Sequence, residues 1–304
     1  MVGIVVLIYK SHEQVLAYVR NELPKIGVPH RTLIVDTGSE RAHAERIAAE
    51  LGVAVVTASD TVSDGSLFVL HVEENLGYAC GNNLGAEFLT RNFPDTDKLL
   101  FSNDDIEFIS ADVVDVLSRR LDESPEIGCI GPKVIDLNGN CQAPRYLPPE
   151  VWSDIRRNFG IPVRGAQYYD NPVPANLQEG EVDSITGCFY MVRASDFIAA
   201  GMFDSRTFLY WEENIFKKRL ERSTHGHSVY FEPAVSIRHF VGLTTGKHAP
   251  NLLLLKCELY GQSLYYREYQ KVSAIAFLVL KLSIWCRLAL VRLALYRYEH
   301  RKEK

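Results

Sequence analysis

Val2-Gly3-Ile4-Val5-Val6-Leu7-Ile8-Tyr9 opens the chain as an almost unbroken apolar run. A strand with one wet face alternates apolar and polar residues, whereas a strand buried on both faces does not. The run therefore reads as an inner strand of a mostly parallel sheet. It has no basic leader and no small-residue cleavage site, so it is not expected to be a signal peptide.

The pattern around it agrees. Ser11 stands where a helix N-cap would, before a helical stretch to about Glu22. Thr32–Val35 is the next strand, Glu40–Leu51 an Ala-rich helix and Val53–Thr57 a third strand. Leu67–Val72 and Leu99–Phe101 continue the series, with helices near Ala79–Thr90 and Ala111–Leu121. Such alternation predicts an α/β fold with helices on both faces of the sheet. Between Leu137 and Val182 the pattern dissolves into Pro, Asn, Gly and Tyr, as in a functional loop. Order returns at Ser184–Val192, then a helix after Trp211 and a strand ending near His239. From about Asn251 the chain reads as helical to its end. Two parts are expected: an α/β domain over 1–246 and a helical extension over 247–304.

Hydrophobic residues make up 47% and charged residues 23%, which excludes a disordered or fibrous chain. The six cysteines lie far apart with no CxxC pair, so they read as reduced and structural, in a cytoplasmic protein. The net charge of −5 is unevenly spread. Residues 271–304 hold eight Lys/Arg against two Glu, a net of +6, leaving −11 on the first 270. An acidic body argues against nucleic acid as the main partner, while the basic tail suits an anionic one.

In a parallel sheet ligands bind beyond the carboxyl ends of the strands, so the residues just after each strand matter most. Asp36, in Ile34-Val35-Asp36-Thr37-Gly38-Ser39, is placed to accept hydrogen bonds from a base or ribose, or else forms a turn. In Asn75-Leu76-Gly77-Tyr78-Ala79-Cys80-Gly81-Asn82-Asn83-Leu84-Gly85, glycines recur every four residues. They allow close backbone approach to a phosphate or sugar, or simply tight helix packing on the sheet. This is not the GxGxxG dinucleotide spacing.

Ser102-Asn103-Asp104-Asp105 follows an apolar strand. In extended chain Asn103 and Asp105 face one way and could share a divalent cation, with Asp104 facing away; the alternative is a solvated acidic turn. Phe208-Leu209-Tyr210-Trp211-Glu212-Glu213 puts two acids at a helix start, which suits the helix dipole but also supplies a general base. His239 ends a strand before Gly242-Leu243-Thr244-Thr245-Gly246 and is either a ligand or structural.

Taken in order, these elements resemble the inverting family 2 glycosyltransferases, especially their rhamnosyltransferase-like branch. The family's first strand ends in Thr-Tyr-Asn, here Ile8-Tyr9-Lys10. Its Asp-Asn-Gly-Ser corresponds to Asp36–Ser39, and its Asn-x-Gly-(Phe/Tyr)-Ala-x-Gly-Asn-Asn-x-Gly to Asn75–Gly85. Its Asn-x-Asp metal motif matches Asn103–Asp105, and its Gly-led strand matches Gly187–Arg193. Its Phe-x-Tyr-x-Glu-Asp matches Phe208–Glu213, and its His-x-x-Gly matches His239 and Gly242.

The resemblance implies a GT-A type fold and transfer of a sugar, with inversion, from a nucleotide-diphosphate donor to a glycan or lipid-linked hydroxyl in surface polysaccharide synthesis. Tyr9, Asp36, Asn75, Gly77, Gly81, Asn82, Asn83 and Asp104 would hold the donor. Asn103, Asp105 and His239 would hold Mg²⁺ or Mn²⁺. Glu213, flanked by Glu212, would be the catalytic base, with Gly187 and Trp211 on the acceptor side. The branch points to dTDP-rhamnose first and UDP-hexoses next. Lys10, Glu213 and Ile215 depart from the usual Asn, Asp and Asp, which admits a non-catalytic sugar-nucleotide or glycan-binding subunit as the alternative. A nucleotidyltransferase would carry a basic Gly-rich loop after the first strand, unlike Tyr9-Lys10-Ser11-His12-Glu13.

Val272–Leu280 is apolar apart from Ser273, but Lys281, Arg287 and Arg292 then interrupt it. Lys281 and Arg292 fall about 20° apart on a helical wheel, with Arg287 well off that face. The expectation is a helix lying on an anionic membrane, against packing on its own domain or on a dimer partner.

Overall fold

The computed structural model describes residues 1–142, 144–163, 177–223, 227–240 and 251–302. The 246/247 division and Gly242–Gly246 fall outside them, as do thirteen residues of the expected loop (164–176) and Ala143. The first strand, β1 (Val2–Ile8), leads through α1 (Glu13–Asn21) to β2 (His30–Thr37) and α2 (Arg41–Leu51). Next come β3 (Val55–Val56), β4 (Leu67–Val72), α3 (Gly77–Asn92), β5 (Lys98–Asn103), β6 (Ile106–Phe108) and α4 (Val113–Glu123). Then follow β7 (Ile127–Ile135), α5 (Val151–Asn158), β8 (Gly180–Glu181), β9 (Phe189–Arg193), α6 (Ala194–Ala199), α7 (Glu212–Ser223) and β10 (Ser228–His239). A long helical end comprises α8 (Leu252–Leu264), a π-helical turn (Tyr265–Tyr269) and α9 (Ala274–Lys302).

The described strands form one sheet in the order β3-β4-β2-β1-β5-β9-β7-β10-β6, with β8 on β10. The first five pair in parallel; β9 runs antiparallel between β5 and β7. The inner-strand reading of Val2–Ile8 holds, since Ile4, Val5 and Val6 are fully buried, with core clusters on both sheet faces. Register sets Ile8 beside Asp36, Asp36 beside His71 and Leu7 beside Asn103. Four strands thus end along one edge.

Local expectations shifted in three places. Ser11 does not cap α1: His12 holds that position, and the Ser11 hydroxyl bonds Asp104. The expected loop contains α5, capped by the Glu150 side chain on the amides of Trp152 and Ser153. The strand expected from Ser184 starts at Phe189.

A third core cluster joins the helical end to the body. Trp211 and Ile215 meet Leu259, Tyr265, Tyr266, Leu280 and Ile284 there, beside Val151 and Ile155 of α5. Ala274–Arg297 is long and apolar enough to cross a membrane, with a mean hydropathy of 2.1. One face of α9 is nonetheless taken: Ala276, Leu280, Ser283 and Ile284 are buried. Arg287, well off the face of Lys281 and Arg292 as expected, reaches Asn158 and Glu258.

Candidate active site

At the end of β5 the chain bends. The Asn103 amide donates to the Cys188 carbonyl at 2.8 Å, and Asp104–Asp105 form the bend before β6. The extended geometry expected for Asn103 and Asp105 therefore stops at Asn103. Asp104 turns inward onto Ser11, whose hydroxyl it accepts. Burial first, and the neighbouring Asp105 charge second, push its carboxyl up to about 7. Asp105 is buried as well, its Oδ1 3.3 Å from His239 Nε2, while His239 Nδ1 lies 3.1 Å from Gln142 Oε1. Burial opposes charge on His239, but Cys188 and Asp105 outweigh it and push its pKa up to about 10.

Asp36 is fully buried at the edge. Its Oδ2 sits 2.9 Å from His43 Nδ1 and 3.9 Å from His71 Nδ1, while Oδ1 has no hydrogen-bond partner. Sequence reading missed both histidines; the only signal was His71's position at the end of β4, in register with Asp36.

The Gly-rich segment divides by role. Asn75 accepts the Gly77 amide at 3.0 Å, and the segment's start packs on Gly38, whose φ of +75° leaves no room for a Cβ against Asn75. Gly77, at φ +69°, lies against the Phe208 backbone, which also accepts the Tyr78 amide at 2.7 Å. Gly81 and Gly85 face Leu7 and Val5 of β1, so their close approach is to the sheet and not to a ligand. Asn82 donates to the Tyr78 carbonyl and keeps a buried, unpartnered Oδ1. Asn83 is spent on both backbone groups of Phe203, each at 3.0 Å. Lys10, at φ +56°, bonds the Ser39 hydroxyl through its amide and lays its ammonium 5.0 Å from the Tyr9 ring.

Tyr210 and Trp211 precede α7, both at φ +73°. Left-handed backbone costs non-glycine residues roughly 1–3 kcal/mol each and persists only where packing over-determines it. The Trp211 ring is so held, 5.3 Å from Tyr265 and 5.8 Å from Tyr266, while Gly261 admits Tyr210 and Trp211 at close range. This turn sends Glu212 inward, where its Oε2 has no hydrogen-bond partner. Glu213 lies over Gly187, whose carbonyl accepts the Tyr78 hydroxyl. Burial raises both carboxyls. On Glu212 the Glu213 charge adds to it, whereas on Glu213 backbone hydrogen bonds and Arg145 oppose it.

Ile215, where the family often carries an acid, is fully buried in the third core cluster. Glu213 also opens on a cavity of about 470 Å³ lined by Arg145, Arg157, Trp211, Glu258 and Arg287. Of those charged neighbours sequence reading named Arg287 alone, as a break in the apolar tail and not as a site residue. Gly187–Cys188 thereby joins two groups far apart in the chain: Asn103 and His239 bear on Cys188, and Glu213 bears on Gly187.

No family model matches the chain, and no curated protein matches it in sequence. Solved structures match it in shape. GalNAc-T7, solved with UDP, GalNAc and Mn²⁺, superposes at a TM-score of 0.54 with 14% identity, over 89% of this chain and 49% of its own. TarS of S. aureus gives 0.53 and 12%, over 92% of this chain and 42% of its own. The mannosyltransferase PcManGT of Pyrobaculum calidifontis, in complex with GDP-Man and Mn²⁺, gives 0.54 and 11%, over 98% of this chain and 75% of its own. The fold is of the GT-A type. The chain spans less than half the length of GalNAc-T7 and of TarS.

Proposed function

We propose that this chain is an inverting glycosyltransferase that moves a sugar from a nucleotide-diphosphate donor to an acceptor hydroxyl, residues 1–246 forming the transfer domain. The observation that carries the reading is the join at Gly187–Cys188. It brings Glu213 beside the strand-end group Asn103, Asp105 and His239, on the edge where a parallel sheet binds ligands. The GT-A relatives solved with UDP or GDP-Man support a nucleotide-sugar donor.

Asp36, with its unpartnered Oδ1, would accept an N–H of the base beside Tyr9. The turn at Asn75 and Gly77 would lie along the donor, and Asn82 Oδ1 is the remaining unsatisfied acceptor of that helix. Among the described residues no cluster of three His, Cys, Asp or Glu side chains is gathered. The residues nonetheless fit a hard cation that shares its shell with the donor: an amide, a carboxylate and an imidazole lie on one edge, with the buried Asp105 Oδ1 facing His239 Nε2 at 3.3 Å. Mg²⁺ or Mn²⁺ bound there would neutralise charge on the departing diphosphate.

Glu213 takes the proton of the acceptor hydroxyl. The acceptor oxygen bonds to the anomeric carbon as the carbon–oxygen bond to the nucleoside diphosphate breaks, and the electron pair leaves with the diphosphate. One carboxylate suffices, and inversion follows from attack opposite the leaving group. Trp211 and Gly187 hold that carboxylate on the acceptor side. Rhamnose is the first donor sugar to test, with UDP-hexoses next.

The outward face of α9 supports attachment to an anionic membrane, on the inner face of the cell membrane. Ile275, Leu278, Leu282 and Trp285 are each more than half exposed at three- and four-residue spacing, opposite the docked face and flanked by Lys281 and Arg292. Because the body occupies the other face, the helix lies along the surface instead of crossing it.

The test of the reading is a melting-temperature panel of UDP, dTDP and GDP with Mn²⁺ or EDTA, followed by turnover of the matching sugar donors. A ligand that binds only the folded state raises the melting point, so one nucleotide should do so, more with Mn²⁺. No shift with any nucleotide would end the donor reading. Binding without turnover on any acceptor would favour a non-catalytic sugar-nucleotide-binding subunit.

A further inference from the structure

The cavity beside Glu213 carries more charge than a proton transfer needs. Three guanidiniums, of Arg145, Arg157 and Arg287, face two carboxylates, of Glu213 and Glu258. Glu258 lies 3.7 Å from Arg157 and 3.4 Å from Arg287; Arg157 also meets Asp154 at 3.1 Å, and Arg287 donates to Asn158 at 3.2 Å. These bonds hold the Arg157 and Arg287 guanidiniums in the wall, and a planar guanidinium fork suits phosphate oxygens. The remaining walls join apolar Trp211, Leu254, Leu255 and Val291 to Tyr210, Asn214 and Asn251. Arg287 and Val291 belong to α9, the helix whose opposite face exposes the apolar stripe. At about 470 Å³ the space has the size of an ordinary small-ligand pocket.

We propose that this cavity is the acceptor subsite, and that the acceptor is a lipid-linked phosphate or diphosphate. Its phosphate sits on Arg157 and Arg287, its hydroxyl at Glu213, and its hydrocarbon runs along Leu254, Leu255 and Val291 toward α9. The assignment rests on Glu213 acting as the base of a sugar transfer. It explains why arginines from α5 and α9 converge on a carboxylate from α7, and why the tail that meets the lipid surface also builds the acceptor wall.

The experiment uses the full chain saturated with Mn²⁺ and whichever nucleoside diphosphate binds it, so that the donor subsite is filled. Geranyl diphosphate, inorganic pyrophosphate and phosphatidylglycerol-containing vesicles are then titrated separately. Geranyl diphosphate should bind without displacing the nucleotide, and pyrophosphate should bind at least about tenfold more weakly for want of the apolar contacts. Arg157→Gln and Arg287→Gln should each weaken geranyl diphosphate by about tenfold or more, as expected for a lost charge-assisted bond, with nucleotide affinity unchanged. Should Arg287→Gln melt early, Arg287→Lys keeps the charge and should keep most of the binding.

Displacement of nucleotide by geranyl diphosphate, or unaltered binding in both Gln variants, overturns the assignment. So does pyrophosphate binding as tightly as geranyl diphosphate, which marks a free-phosphate site, or binding to vesicles alone, which marks a headgroup surface. Failure of every nucleotide strikes the transferase reading itself. Nucleotide binding without geranyl diphosphate binding strikes only the acceptor.

Discussion

Gly187→Ala isolates the placement of the base from its chemistry. Gly187 has no left-handed φ, so alanine is allowed by the backbone, and the only cost is what its methyl meets. That methyl would stand 3.0 Å from the Glu213 carboxyl carbon and closer still to Oε1. The carboxyl is the free end of a flexible side chain, so the fold survives but Oε1 must retreat by about 1 Å, a displacement that costs on the order of 100-fold in rate. Removing the base outright costs about 10²–10⁴-fold. Gly187→Ala should therefore lower kcat by about 10²-fold, with the melting temperature and the Mn²⁺-dependent nucleotide affinity little changed. The assay is initial-rate transfer from the donor found by the nucleotide panel, run on Gly187→Ala, Glu213→Gln and the double variant. Since both changes act on one carboxylate, the double variant should be no slower than Glu213→Gln alone. Wild-type turnover in Gly187→Ala, or losses that multiply in the double variant, would refute the placement of Glu213 as base.

Asp105→Ala should abolish the Mn²⁺-dependent part of nucleotide binding in the melting panel, whereas Asp104→Ala should leave it and lower stability through the lost Ser11 bond. Glu212→Gln addresses a buried carboxyl whose folded pKa lies well above its unfolded one. Such a group stabilises the fold below the unfolded pKa and loses that contribution as pH rises through the folded one. The melting-temperature gain of Glu212→Gln over wild type should therefore grow from pH 5 to pH 8; a gain that shrinks with pH would place Glu212 as an ionised residue. Leu278→Glu with Leu282→Glu, on the exposed face of α9, should keep the melting point and end binding to anionic vesicles, binding that in wild type weakens with salt. If these changes instead convert a dimer to a monomer, and the wild type ignores vesicles, the stripe is a subunit interface.

What sequence could show was what depends on neighbours in the chain. Val2–Ile8 had to be an inner strand because nothing along it is polar, and Asp36 and Asn103 had to sit at the edge because strands end there. The extended backbone assumed for Asn103 and Asp105 ends early, because alternation holds only while the strand lasts and β5 stops at Asn103. The helix α5 was hidden by its brevity: eight residues give too few apolar repeats, and its cap is a glutamate instead of the usual short side chain. The glycines at 81 and 85 looked the same whether they faced a phosphate or Val5 and Leu7; only the packing of α3 on β1 decides. His43 and His71 around Asp36, and Arg157 and Arg287 around Glu258, are separated by 28 and 130 residues in sequence. No local pattern could have paired them.

The helical end was expected to be an appendage, yet the position of Glu213 depends on it. Glu213 follows two residues in left-handed backbone, and that turn has no local reason to persist. Its support is Trp211, wedged against Tyr265 and Tyr266, and the bare backbone of Gly261, which makes room for the Tyr210 carbonyl and the Trp211 Cβ. All three supports lie in α8 and the π-helical turn, not in α9. Burying aromatic rings of that size contributes about 1.5–3 kcal/mol each, comparable with the strain that two left-handed residues store. The two halves of the helical end thus have separate duties. Residues through Tyr269 fix the backbone that aims Glu213, while α9 closes the arginine-lined cavity and leaves its apolar outer face exposed. On the proposed transfer, the carboxylate that serves as base is aimed by the same segment that precedes the exposed helix α9.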